Sequence, residues 1–104
     1  MLKTSDENIE SGSETSFPES DKELLAKYRE NPNLGFQLIV KKYQERVYWQ
    51  IRRLTKNHQD SEDVMQQVFI KAWKGLENFR ADSAIYTWLY RIAFNETHTF
   101  LSRE

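Results

Sequence analysis

The stretch DSEDVMQQVFIKAW, residues 60–73, decides the fold. Laid on a helical wheel at ~100° per residue, Val64, Met65, Val68, Phe69, Ala72 and Trp73, with Leu76 just beyond, fall on one half. Asp60, Asp63, Gln66, Gln67, Ile70, Lys71 and Lys74 fall on the other. One apolar half and one polar half describe a helix packed on a single side. Ile70 breaks the pattern, because leaving it in water forgoes ~1.5–3 kcal/mol of burial. A lone exposed isoleucine is ordinary. Here it sits among two amides and a carboxylate, and amides both donate and accept hydrogen bonds. That grouping makes a small contact patch suited to the mixed surface of a partner helix.

Upstream, a second helix is expected from about Leu34 to Thr55. Phe36, Val40, Tyr43, Val47, Ile51 and Leu54 repeat at three-four spacing along one face. Leu38 and Trp49 lie on its back, where a short first helix could cover them. That first helix is SDKELLAKYRE, residues 20–30, with Ser20 and Glu23 at capping-box spacing and Leu24, Leu25 and Tyr28 as its apolar edge. The NPN at 31–33 breaks it. Asp60 can cap the third helix, and Glu62 and Asp63 put further acid where the helix dipole favours it. Downstream, the third helix ends near Gly75–Leu76, and the loop ENFRAD leads to Ser83 as a plausible cap. A last helix from Ala84 to about Ser102 carries Ile85, Leu89, Ile92, Ala93 and Phe100 on one side. No segment reads as a strand. The fold class is therefore all-α: a compact bundle of four helices, one short and three longer.

Composition sets the limits. The chain has 104 residues, 38% hydrophobic and 30% charged, enough for one small domain. The absence of cysteine excludes disulfides and thiolate zinc sites. The first 19 residues hold Ser, Thr, Glu and Asp with few apolar residues and are expected to form a disordered acidic tail, with the helical domain over 20–104. That N-terminus lacks the apolar core of a secretory signal, and no run reaches the ~20 apolar residues of a membrane span. A cytoplasmic protein without membrane insertion is expected. The net charge of −1 hides an asymmetry. Residues 1–30 carry four Lys/Arg against eight Asp/Glu, whereas residues 31–104 carry eleven against eight. A mildly basic body suits contact with a few phosphates.

Nothing in the chain suggests catalysis. The two histidines, His58 and His98, are 40 positions apart, and no metal-protease, phosphate-loop or nucleophile-elbow motif is present. The acids cluster at helix starts rather than in pairs across a cleft. His58 with Glu62 and Asp63 reads as a solvated helix start. No metal, cofactor or enzymatic activity is expected.

The last helix and its loop, NFRADSAIYTWLYRIAFN at 78–95, interleave rings with polar groups. Phe79, Tyr86, Trp88, Tyr90 and Phe94 alternate with Arg80, Arg91 and Asn95. Rings beside guanidinium and amide groups suit single-stranded nucleic acid, whose bases stack for ~1–3 kcal/mol each. A small bundle also needs large core side chains, and Trp88 and Phe94 are expected to be mainly structural.

DVMQQVFIKAW followed by FRADSAIYTWLYRIAFN resembles region 2 of bacterial sigma factors of the extracytoplasmic-function group, of the sigma-E type. The resemblance covers about residues 21–102. It implies a transcription-initiation domain that docks on core RNA polymerase and captures the non-template strand of the promoter −10 element. The implied contact with the β′ clamp helices falls on Asp63, Gln66, Gln67 and Ile70, with Lys74 beside them. The implied pocket for a flipped base falls on Phe79, Arg80, Ala81, Asp82 and Ser83. Lys71, Gly75, Tyr90, Arg91 and Asn95 match positions along the strand's path. An anti-sigma factor is implied as a regulatory partner. Two departures stand out. Ala81 replaces the glycine of the sigma-E FRGDS pattern, which matters if that position needs a positive φ. After Asn95, ETHTFLSRE offers only Arg103 as a firm positive charge. The resemblance also implies a linker and a second helical domain, which are not expected within these 104 residues. A helical adaptor that binds protein alone is the rival reading. A duplex-reading helix-turn-helix would need a more basic recognition helix.

Overall fold

The computed structural model describes residues 20–103. The acidic segment expected to be a disordered tail, residues 1–19, lies outside the described residues, as does Glu104. Four α-helices follow one another: α1 (Asp21–Glu30), α2 (Pro32–Arg52), α3 (His58–Gly75) and α4 (Ile85–Ser102), with a single 3₁₀ turn (Leu76–Asn78) after α3. The expected all-α bundle is the fold observed.

Local chemistry places each boundary. Ser20 and Glu23 form the expected capping box: Glu23 N–H donates to Ser20 Oγ at 3.1 Å, and Ser20 N–H donates to Glu23 Oε1 at 2.9 Å. The backbone bond from Ser20, then its hydroxyl, holds the Glu23 carboxyl below its usual range. Asn31 ends α1 and starts α2, accepting from Leu34 N–H at 3.3 Å, and Pro32 takes the first helical position, where its missing N–H costs nothing. The second helix therefore begins at Pro32 rather than Leu34. It stops at Arg52, short of Thr55, whose hydroxyl is buried and bonded to Ser61 Oγ at 2.6 Å. The cap of α3 is Asn57, not Asp60: Asp60 N–H donates to Asn57 Oδ1 at 2.8 Å, and Asp60 sits in the first turn.

The cap of α4 corrects the sequence reading most. Ser83 does not cap it, and neither does Ala84 at the N-cap position, which has no side chain able to. Ile85 N–H instead donates to Asp21 Oδ2 at 2.9 Å, from 64 positions upstream. The other oxygen of the same carboxylate accepts from Tyr43 Oη at 2.9 Å. One acid at the start of α1 thus ties α2 and α4 together. Burial, and then this bond to Asp21, push the Tyr43 phenol up to about 12.

The core is one cluster drawn from all four helices. Leu24 and Leu25 of α1, Ile39, Tyr43, Val47 and Ile51 of α2, Val64, Val68 and Ala72 of α3, and Ile85, Leu89 and Ala93 of α4 are buried, with Leu76. Tyr43, Val47 and Ile51 of the expected inward face of α2 are buried, but its ends differ: Ile39 is buried, Phe36 and Val40 are partly exposed, and Leu54 is exposed. Gly35 lets α1 cross α2 closely, since a Cβ there would lie 2.2 Å from Tyr28 Cα. Around this contact Phe36 meets Trp73 edge-on at 5.2 Å and Phe69 at 6.4 Å. Trp49 is not covered by α1 but exposed on α2, and Trp73, placed by periodicity on the packed half of α3, is also exposed. Among the described residues, no helix is long and apolar enough to cross a membrane.

Candidate nucleic-acid and partner interface

The outer side of α3 follows from its register. With Ser61, Val64, Val68 and Ala72 buried at three-four spacing, the opposite positions must face water. Asp63, Gln66, Gln67, Ile70, Lys71 and Lys74 are all exposed, Ile70 at 41%. The polar ring around an apolar centre anticipated from the sequence is present. Gln66, Gln67 and Asp63 also border a cleft of ≈ 220 Å³ closed on its far side by Glu96, Thr99, Phe100 and Arg103 of α4.

The loop between the 3₁₀ turn and α4 holds one unusual backbone. Ala81 has φ 60, the left-handed region that favours glycine. Arg80, Ala81 and Asp82 are exposed, while Phe79 and Ser83 are partly buried. The Phe79 ring lies 5.2 Å from that of Trp88, and its N–H donates to Leu76 O at 3.1 Å. Trp88 in turn fills the space above Gly75, where a Cβ would come within 3.3 Å of its Cζ2. Gly75, Trp88 and Phe79 thus form a pedestal that fixes the loop on the bundle. The glycine has a packing reason: the group that approaches it closely in this structure is an indole.

On α4, the burial of Ile85, Leu89, Ala93 and Thr97 turns Tyr90, Arg91, Phe94, Asn95 and His98 outward in one stripe. Phe94 is 46% exposed and stacks at 4.3 Å on His98 only. The expectation that it serves the core is therefore corrected. Trp88 does pack inward as expected. Lys71, placed on the strand's path from the sequence, forms an ion pair with Glu96 of α4, whose side chain is largely buried. That pair bridges α3 and α4 between the two candidate surfaces. The sequence reading missed Glu96 because its partner lies 25 positions away on another helix.

No group of His, Cys, Asp and Glu among the described residues could hold a metal ion. His58 is bonded through Nδ1 to Tyr48 Oη at 2.8 Å and faces Glu62 at 3.8 Å, an exposed polar contact at the start of α3.

Comparison with known proteins gives the chain a family. Residues 39–104 match the family model of sigma-70 region 2. The chain is 43% identical over 83 residues to the RNA polymerase sigma-H factor of Pseudomonas aeruginosa, covering 80% of this chain and 43% of that protein. It is 40% identical over 82 residues to the ECF RNA polymerase sigma-E factor of Escherichia coli K12, covering 79% and 42%. It therefore spans less than half the length of these relatives. Among solved structures, an engineered region 2 of sigmaE in complex with GTAAAA superposes with a TM-score of 0.73 at 33% identity, over 82% of this chain and 88% of that one. CnrH in complex with the cytosolic domain of CnrY superposes with a TM-score of 0.69 at 26% identity, over 78% and 53%.

Proposed function

The chain belongs to the sigma-70 region 2 family, and from that premise we propose that it is a transcription-initiation domain with two separate working faces. The outer side of α3, through Asp63, Gln66, Gln67, Ile70 and Lys74, docks on the β′ clamp helices of core RNA polymerase. The loop Phe79–Ser83, with Tyr90, Arg91 and Asn95, captures the non-template strand of the promoter −10 element and seats one flipped base. Lys71 and Gly75 flank that path. Lys71 reaches a phosphate only by leaving Glu96, and Gly75 acts through Trp88.

The observation that carries the reading is the outward stripe of α4 continuing into the Ala81 loop. Tyr90, Arg91, Phe94 and Asn95 are exposed outside the core, on the helix that follows a loop of unusual backbone. A flipped base costs a few kcal/mol of lost stacking, which rings and edge hydrogen bonds in a pocket must offset. A rigid pocket does this better than a mobile one, because less ordering is needed on binding. The likeness to a sigmaE region 2 bound to GTAAAA supports single-stranded DNA as the ligand. The likeness to CnrH held by another protein's cytosolic domain supports control by an anti-sigma protein that covers the same faces.

The test is titration of labelled single-stranded oligonucleotides bearing −10-like sequences against scrambled controls at low salt. Preference for the −10-like strand, lost in Asn95→Ala, supports the assignment. Equal affinity for both strands removes the sequence-reading role and leaves the protein-only adaptor.

A further inference from the structure

A second groove lies on the far side of α4, outside every position assigned to a working face above except Tyr90. It is bounded by Glu45, Arg46, Trp49 and Gln50 of α2, by Arg53 just after it, and by Tyr86 and Tyr90 of α4, and encloses ≈ 330 Å³. Trp49 is 53% exposed and Tyr90 44%, the most exposed rings lining it. Arg46 stands 5.4 Å over the Tyr86 ring. The spacing of Arg46, Trp49 and the C-cap residue Arg53 follows from the register of α2: Val47 and Ile51 point inward, so these three turn to the outer wall.

Gln50 defines the chemistry of the floor. Its Nε2 donates to the Tyr90 carbonyl at 3.1 Å. A carbonyl can only accept, so the amide cannot be turned round, and Oε1 must be the atom left over. That oxygen is buried and has no hydrogen-bond partner. It is already desolvated, so a ligand that donates to it gains a bond without stripping water. Trp49 and Tyr90, both about half exposed, line the same groove as Gln50.

We infer that this groove is a second nucleotide subsite, taking an additional unstacked base of the same single strand between Trp49 and Tyr90, with its phosphates on Arg46 and Arg53. The inference rests on the proposed capture of single-stranded DNA by α4. Two guanidiniums against one carboxylate favour a polyanion, and flat rings beside them favour bases over a peptide. Tyr90 belongs to both the α4 stripe and this groove, so one strand can pass from one to the other. Each of the four bases carries at least one N–H donor on its pairing edge, which suits the orphan oxygen of Gln50.

The experiment uses the whole chain with two single strands, a −10-like hexamer and the same hexamer lengthened by four nucleotides at either end. Trp49→Ala and Arg53→Ala alter exposed positions, and thermal melts are the check that both remain folded. Each is expected to weaken one of the lengthened strands by at least about fivefold while sparing the hexamer. Arg53→Ala should also lower the slope of log affinity against log salt by about 0.7. The Trp49 indole N–H resonance should shift with the lengthened strand. Unchanged affinities with Asn95→Ala still defective overturn the groove and leave the main reading standing. No binding by the wild type to either strand overturns both. A Trp49 shift produced by core polymerase and not by DNA overturns the groove as a nucleotide site and assigns it to protein.

Discussion

Replacing Ala81 by glycine should stabilise the domain. Ala81 has φ 60, where its Cβ crowds the following carbonyl at a cost of ~1–2 kcal/mol for an L-residue. Glycine removes that crowding but makes the unfolded chain freer, which costs about 0.4–1 kcal/mol. The difference leaves a net gain of about 0.5–1 kcal/mol. For a domain of this size 1 kcal/mol moves Tm by ~4–8 °C, so a rise of roughly 2–8 °C is expected. Thermal denaturation followed by circular dichroism measures it, with urea unfolding as the independent check. Ala81→Val supplies the opposite sign, because a β-branched side chain is a true outlier at positive φ. A Gly variant that melts lower than the wild type, together with a Val variant that melts no lower, would refute the left-handed backbone. Binding separates shape from strain. If the loop's shape seats the base, Ala81→Gly keeps that shape accessible and single-strand affinity stays within about threefold. The valine variant distorts the loop and loses affinity.

Other perturbations follow from particular contacts. Gly35→Ala places a Cβ 2.2 Å from backbone atoms of Tyr28, which no rotamer change can relieve, so unfolding in urea should show a loss at or above the ~1–3 kcal/mol typical of overpacking. Asp21→Ala removes the acceptor of both Tyr43 Oη and Ile85 N–H and should cost about 2 kcal/mol in the same assay. Tyr43 offers a pH test. Its phenol is raised from 10.0 to about 12, so the fold favours the neutral form. That contribution is complete below pH 10 and disappears between 10 and about 12. Absorbance at 295 nm should show one late-titrating tyrosine, absent in Tyr43→Phe. Ile70→Glu, at a 41% exposed position, should leave stability within about 0.5 kcal/mol yet weaken core polymerase binding at least about fivefold. Unfolding by this change would place Ile70 in the core.

The helices were legible because periodicity and caps are local. Val64, Val68 and Ala72 face inward as their spacing requires, and the Ser20–Glu23 box forms as written. What escaped were bonds between distant positions. Asp21 reads as an ordinary acid in a first turn, and nothing nearby reveals that it caps α4. Lys71 reads as a free cation because Glu96 lies on another helix. Aromatics were misplaced for a related reason. A ring's size suggests core, but Trp49 and Phe94 point away from the other helices, and Trp73 sits at the rim of the contact between α3 and the crossing of α1 and α2; only packing angles decide that. Trp49 did carry a local hint, since Arg46 and Arg53 flank it at three-four spacing on one face. Ala81 was flagged by its departure from FRGDS, and there the backbone requires the conformation that glycine would take without strain.

The division of α3 into a packed and a free side explains why binding and stability should separate at most positions but not all. Asp63, Gln66, Gln67 and Ile70 touch little of the bundle, so their substitution should change partner binding alone. Gly75 and Phe79 differ, because both support Trp88 and, through it, the loop that holds Ala81 at φ 60. A Cβ at Gly75, 3.3 Å from the indole, must push Trp88 outward by a few tenths of an ångström, and Phe79 rests on that indole. Gly75→Ala should therefore lower single-strand affinity by altering the loop, with no lost contact to DNA of its own. The effect must travel through Trp88. In a Trp88→Phe background, where the shorter ring no longer reaches Gly75, the same substitution should change affinity little. Equal losses in both backgrounds would mean that the strand approaches Gly75 directly.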